Sequence, residues 1–138
     1  MGEEDKCWRD PTSTEHALIM HLLRGDFRGK AQIVAQLASL QAMSIGQGVG
    51  LMLRTNGPLA DVDNNDAPPA DSNDRIVVEG FYDDQEPGHT GLFQVAALVR
   101  LALHVSNGRL SKLDIYKENG RAICTSPYEI DLSKVHFY

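Results

Sequence analysis

The chain has 138 residues, 42% apolar and 23% charged, with a formal net charge of −6. This is the size and make-up of one globular domain with room for a real core, and its acidic balance argues against a nucleic-acid binder, which needs a clustered basic surface. No apolar run reaches the ~18 residues of a membrane span. The start, MGEEDKCWRD, is polar and acidic where an export signal is basic and then apolar, so a cytoplasmic protein is expected.

The charge is unevenly placed. Residues 55–74 hold five acids (Asp61, Asp63, Asp66, Asp71, Asp74) and no base, while the rest of the chain is nearly balanced. Trp8, beside Arg9, is expected to anchor the N-terminal arm on the core. Asp10-Pro11-Thr12-Ser13-Thr14-Glu15 starts a helix, with Pro suited to the first positions and Thr12 and Glu15 forming a capping box. This helix runs to about Leu23, with Leu18, Ile19, Leu22 and Leu23 on one face and Gly25 as its stop. A second helix is expected over Lys30 to Met43, striped by Ile33, Val34, Leu37 and Leu40. Two helices this short need a sheet to pack against.

Val49 to Arg54 reads as a strand. Residues 55–74, with three prolines and few apolar side chains, read as a long mobile acidic loop. Arg75 to Tyr82 is a second strand, and Asp83 to Gly91 a turn-rich connection. A hairpin spans Phe93 to Lys117. In it Val99, Leu101, Leu103 and Val105 alternate with polar or small residues, and Asn107-Gly108 suits a two-residue turn with positive φ. A helical reading of 92–103 is weaker than this alternation. The tail places Tyr128, Ile130 and Leu132 at alternating positions. The expected architecture is one α+β domain over residues 1–138: two N-terminal helices on an antiparallel meander of about four strands.

The sequence carries no strong catalytic or metal motif. Gly46, Gly48 and Gly50 have the wrong spacing and context for a dinucleotide fingerprint, and read as a helix-to-strand connection. Asp61, Asp63 and Asn65 match the opening of a calcium loop, but Asp66 stands where Gly is required and Ser72 where Glu is required. The five histidines (16, 21, 89, 104, 136) have no metal-ligand spacing. Cys7 and Cys124 read as thiols, and Cys124 as structural. Asp83, Asp84 and Glu86 form a second acidic patch in an exposed turn. No cofactor is expected.

Several segments carry a family resemblance. PTSTEHALIMHLL, KAQIVAQLASLQAMSI, RIVVEGFYDDQEPG and above all NGRLSKLDIYKENGRAI resemble, in order, a family of small bacterial domains of unknown function encoded near contact-dependent inhibition and other toxin loci. The chain departs from that pattern in its longer 55–74 connection and in Lys112, where an acid is common. The resemblance implies a cytoplasmic, non-enzymatic immunity protein that binds a toxin domain, with a nuclease the expected target. An acidic inhibitor would meet a basic substrate cleft with complementary charge. The partner-binding candidates are Asp61, Asp63, Asp66, Asp71, Asp74, Asp83, Asp84 and Glu86. The alternative is a small-molecule-binding or catalytic domain, with His104, Asp114 and Tyr116 lining a pocket between helices and sheet.

Overall fold

The computed structural model describes residues 8–45, 50–61, 74–84 and 97–137. Helix α1 spans Ser13–Leu22 and α2 spans Lys30–Gln36, continued by a 3-10 turn at Leu37–Ser39. The strands are β1 (Gln41–Ser44), β2 (Leu51–Arg54), β3 (Asp74–Asp83), β4 (Leu98–Ser106), β5 (Arg109–Lys117) and β6 (His136–Phe137), with a 3-10 turn at Leu132–Lys134 before β6. They form one antiparallel sheet in the order β1-β2-β5-β4-β3-β6. No described helix is long and apolar enough to cross a membrane.

The α+β class is as expected, and the strand count and order are not. Six strands pair among the described residues where about four were expected, and they do not form a simple meander. β1 pairs with β2, and β3, β4 and β5 pair in turn, in chain order, but the β1–β2 pair docks on the far side of β5. The start of β3 is therefore three strand spacings, ~14 Å, from β2 in the sheet.

α1 starts as its sequence dictates. Thr12 Oγ1 accepts from the Glu15 N–H at 3.2 Å, and the Glu15 carboxylate accepts from the Thr12 N–H at 2.8 Å. The helix ends at Leu23 without a left-handed glycine, so Gly25 is not its stop. α2 is shorter than expected. Residues 41–44 leave the helix for β1, because Ala42 is buried against β2 and bridges to Arg9 at the sheet edge. Gly50 accordingly lies between two strands, not between a helix and a strand. A Cβ there would meet the Leu113 carbonyl oxygen at 3.0 Å. Gly46 and Gly48 lie outside the described residues.

The hairpin turn is the expected one, with φ of 52° at Asn107 and 82° at Gly108. Residues 98–106 are strand, not helix. The core fills one face of the sheet. Leu18, Ile19, Leu22, Leu23 and Ile33 from the helices pack on Leu51, Leu53, Val99, Leu101, Leu103, Val105, Leu110, Leu113 and Ile115. Ile123, Tyr128, Ile130 and Leu132 of the tail join the same side.

Residues 55–61, read as part of a mobile loop, are packed down. The buried Gln36 amide donates to the Pro58 and Gly108 carbonyls at 2.6 and 2.7 Å, and its oxygen accepts from the Leu110 N–H at 2.9 Å. Thr55 Oγ1 donates to the Gln36 carbonyl at 2.7 Å, and the Ala60 N–H donates to the Gly108 carbonyl at 2.9 Å. One helix side chain thus fastens the crossing segment to the hairpin turn.

Candidate functional site

Strand register fixes which side chains share a face, because neighbours along a strand alternate and directly paired residues point the same way. With Val99, Leu101, Leu103 and Val105 in the core, the opposite face carries Arg100, Ala102 and His104 of β4. Their partners Tyr116, Asp114 and Lys112 of β5 lie beside them, with Met52 of β2 next to Lys112 and Met43 of β1 next to Met52. On the other side stand Ile76, Glu79 and Phe81 of β3. Among the described residues, no helix or strand crosses this face.

The face is mixed in character. Met52 is 37% exposed, Tyr116 48% and Ile76 50%, within a frame of charges of both signs. Arg100 pairs with Glu118. The Arg54 guanidinium lies 4.4 Å from the Trp8 ring centroid, so Trp8 is a half-buried stacking partner at the sheet margin. His104, Asp114 and Tyr116, expected in a pocket between helices and sheet, stand instead on the opposite face, with His104 buried, Asp114 half-buried and Tyr116 exposed. The space between helices and sheet is filled by the core.

The acidic candidates are not gathered into one surface. Asp74 and Asp83 sit at opposite ends of β3, ~30 Å apart along the strand. Asp61 is exposed and pairs with Arg28. Asp74 holds His104, with 2.8 Å between its carboxylate and Nδ1. Asp83 is exposed and lines a shallow cavity of about 420 Å³ with Thr125, Ile130, Ser133, Lys134 and His136. Asp63, Asp66, Asp71 and Glu86 lie outside the described residues.

Asp84 corrects the sequence reading most sharply. It is buried, not exposed, and its carboxylate is 2.8 Å from the Lys117 ammonium, with the two side chains 0% and 1% exposed. The same carboxylate accepts from the Cys124 and Thr125 N–H groups at 2.8 Å each. Lys117 also donates to the Ala122 carbonyl, and the Tyr82 hydroxyl donates to the Thr125 carbonyl at 2.6 Å. Burial by itself raises the Asp84 carboxyl, but Lys117 and the two N–H groups outweigh it and hold the group below the usual carboxylate range. Burial, and then the Asp84 charge, push the Tyr82 phenol up. This cluster latches the tail to the end of the sheet, and Asp84, with its side chain 0% exposed, is out of reach of a partner. Lys117 gives the local sequence signal: it falls on the core-facing alternation of β5, where a lone cation needs a buried acid.

A second latch joins the N-terminal arm to α1. Arg9 grips Glu15 with two bonds of 2.6 and 2.9 Å. The Arg9 bond, against the cost of burial and aided by Thr12, lowers the Glu15 carboxyl.

The His104–Asp74 pair has part of the geometry of a catalytic dyad. Nδ1 faces the Asp74 carboxylate, and Nε2 is buried with no hydrogen-bond partner among the described residues. Among the described residues no nucleophile is in hydrogen-bond contact with Nε2, and no group of three His, Cys, Asp or Glu residues is placed to hold a metal. Cys124 is an exposed free thiol. Cys7 lies outside the described residues. Sequence reasoning did not single out Met52 and Ile76. Their signal is an apolar residue at the outward position of a strand.

Comparison of the chain with protein-family models, with curated proteins and with solved structures gives no match.

Proposed function

We propose that the chain is a non-enzymatic immunity-type protein that neutralises a toxin by binding it, and that the exposed part of the sheet face opposite the helices is the contact surface. The observation that supports this reading is the exposed trio Met52, Ile76 and Tyr116 on a face that no described helix or strand crosses. Aromatic, Met and Arg side chains surrounded by charges are the make-up of a protein interface, and a few such anchors supply most of the affinity. The net charge of −6 would speed encounter with a basic substrate cleft such as that of a nuclease. On this reading Asp61 and Asp83, the exposed members of the acidic set among the described residues, steer from the margins, while Tyr116 and Met52 anchor.

The test is capture of partners from lysate of the source organism, with identification by mass spectrometry and measurement of the affinity. A stoichiometric toxin domain, bound at least about tenfold more weakly by Tyr116→Ala with Met52→Ala, supports the reading. Reversing Asp61 and Asp83 to Lys should slow association and flatten its salt dependence. An affinity that neither pair of changes alters would refute the assigned surface. Failure to capture any protein would refute the function.

A further inference from the structure

The outer edge of β3 is only partly paired. β6 bonds to Gly80 and Phe81, and among the described residues no strand lies beyond residues 74–79. An open edge is a template for another strand, and proteins usually blunt it with charge, proline or a bulge. β3 has a register shift between Ile76 and Val78, but it presents Ile76, Val77 and Val78 in succession, with Ile76 half exposed.

A cleft of about 270 Å³ opens beside this edge, lined by the apolar Leu22, Phe27, Val77, Val78 and Phe137 and by the charged Arg24, Asp26 and Glu79. Its placement follows from strand alternation. Phe137 pairs with Gly80 and turns to the helix side, where it meets His21 at 5.4 Å and the Arg24 guanidinium at 5.2 Å. A strand continuing the line of β6 would next point to the helix side opposite Val78, into the cleft. The irregularity at Val77 sets two valines side by side on that wall.

We propose that this edge takes a strand from the protein partner. An extended segment runs antiparallel to β3, seats an apolar side chain opposite Val78 in the cleft, and places a β-branched one opposite Ile76 on the open face. Main-chain bonds would give affinity and the cleft would give specificity, as in other strand-addition modes. The proposal rests on the protein-binding reading above and names the segment the chain takes from its partner. A second copy of this chain fits poorly. Symmetric antiparallel pairing about Val77 would oppose Arg75 and Glu79, yet Arg75 is in register with core-facing Val105 and Glu79 with outward Ala102. Those charges point to opposite faces and cannot meet.

The test titrates the full chain with the acetylated, amidated peptide TKLVTKT and with the same peptide N-methylated at alternate nitrogens, following backbone amides by NMR and hydrogen exchange. The expected result is shifts confined to residues 75–79 and to Leu22, Phe27 and Phe137. Exchange at the β3 edge should slow about tenfold or more at saturation, and the N-methylated peptide should bind at least about tenfold more weakly. Equal binding of both peptides, shifts on Met52 and Tyr116 instead, no shift at millimolar peptide, or edge protection by self-association alone would each overturn the proposal. In the complex with a captured partner, unprotected β3 amides would overturn the edge assignment and leave the proposed function intact. Peptide binding at the edge with no protein partner captured would do the reverse.

Discussion

Replacing Asp84 by Ala removes the counter-charge from Lys117, whose side chain is 1% exposed and whose ammonium is 2.8 Å from the lost carboxylate. Breaking one side of a buried ion pair costs about 3–5 kcal/mol, because the remaining charge stays out of water. The Cys124 and Thr125 N–H groups lose their acceptor as well, which adds to that cost. Over 138 residues the unfolding entropy is roughly 0.29 kcal/mol/K, so a loss of about 4 kcal/mol lowers Tm by roughly 14 °C. Urea denaturation and thermal circular dichroism of Asp84→Ala, Lys117→Met and the double variant measure both the cost and the coupling. The double variant should be more stable than Asp84→Ala, because it removes the stranded charge. Should Asp84→Ala prevent folding, Asp84→Asn offers a milder loss with the same sign. The folded Asp84 carboxyl is lowered, so below its unfolded value of about 3.9 the unfolded chain binds the extra proton. The latch therefore contributes fully above about pH 4 and is lost as pH falls through the folded value. Asp84→Asn should flatten that acid limb. A cost below about 1 kcal/mol, or purely additive effects of the two single variants, would refute the latch.

Two further outcomes follow from buried polar groups. Burial, with Arg24 nearby, lowers the His21 imidazole against the raising effect of its bond to the Leu132 carbonyl. Below about pH 6.5 the unfolded chain then binds more protons, so His21 makes stability fall with pH until its folded value is passed. Tm measured from pH 7.5 to 5.5 should drop more steeply in the wild type than in His21→Asn; equal slopes would count against this account. Gln36→Leu strands the Leu110 N–H and removes two donors from carbonyls, for an expected loss of about 2–4 kcal/mol in urea denaturation. A loss under about 0.5 kcal/mol would show that water replaces the amide.

Local chemistry was the legible part of the sequence. The Thr12–Glu15 box and the Asn107-Gly108 turn act within a few residues, and the alternation of β4 reports a buried face directly. β1 was hidden because Ile33, Val34, Leu37 and Leu40 extend a helical period up to its start, while its partners are fixed by the distant β2 and by Arg9. The position of β5 between β2 and β4 depends on pairing across the whole chain, which periodicity does not encode. The acidic candidates share only their charge. Charge does not distinguish an exposed Asp83 from its neighbour Asp84, which a lysine 33 positions later draws into the interior.

Gln36 also orders events in time. Its bonds reach Pro58, Gly108 and Leu110, separations of 22, 72 and 74 residues, whereas the β4–β5 hairpin closes through a two-residue turn. Local closure is fast and distant closure is slow, so the β3-β4-β5 unit can assemble before the segment from β2 is drawn across its end. The amide then engages on the native side of the folding barrier. Gln36→Leu is accordingly expected to accelerate unfolding more than it slows folding, which stopped-flow kinetics in urea would check, and the grip on the crossing segment would then set how long the folded molecule lasts as well as how stable it is.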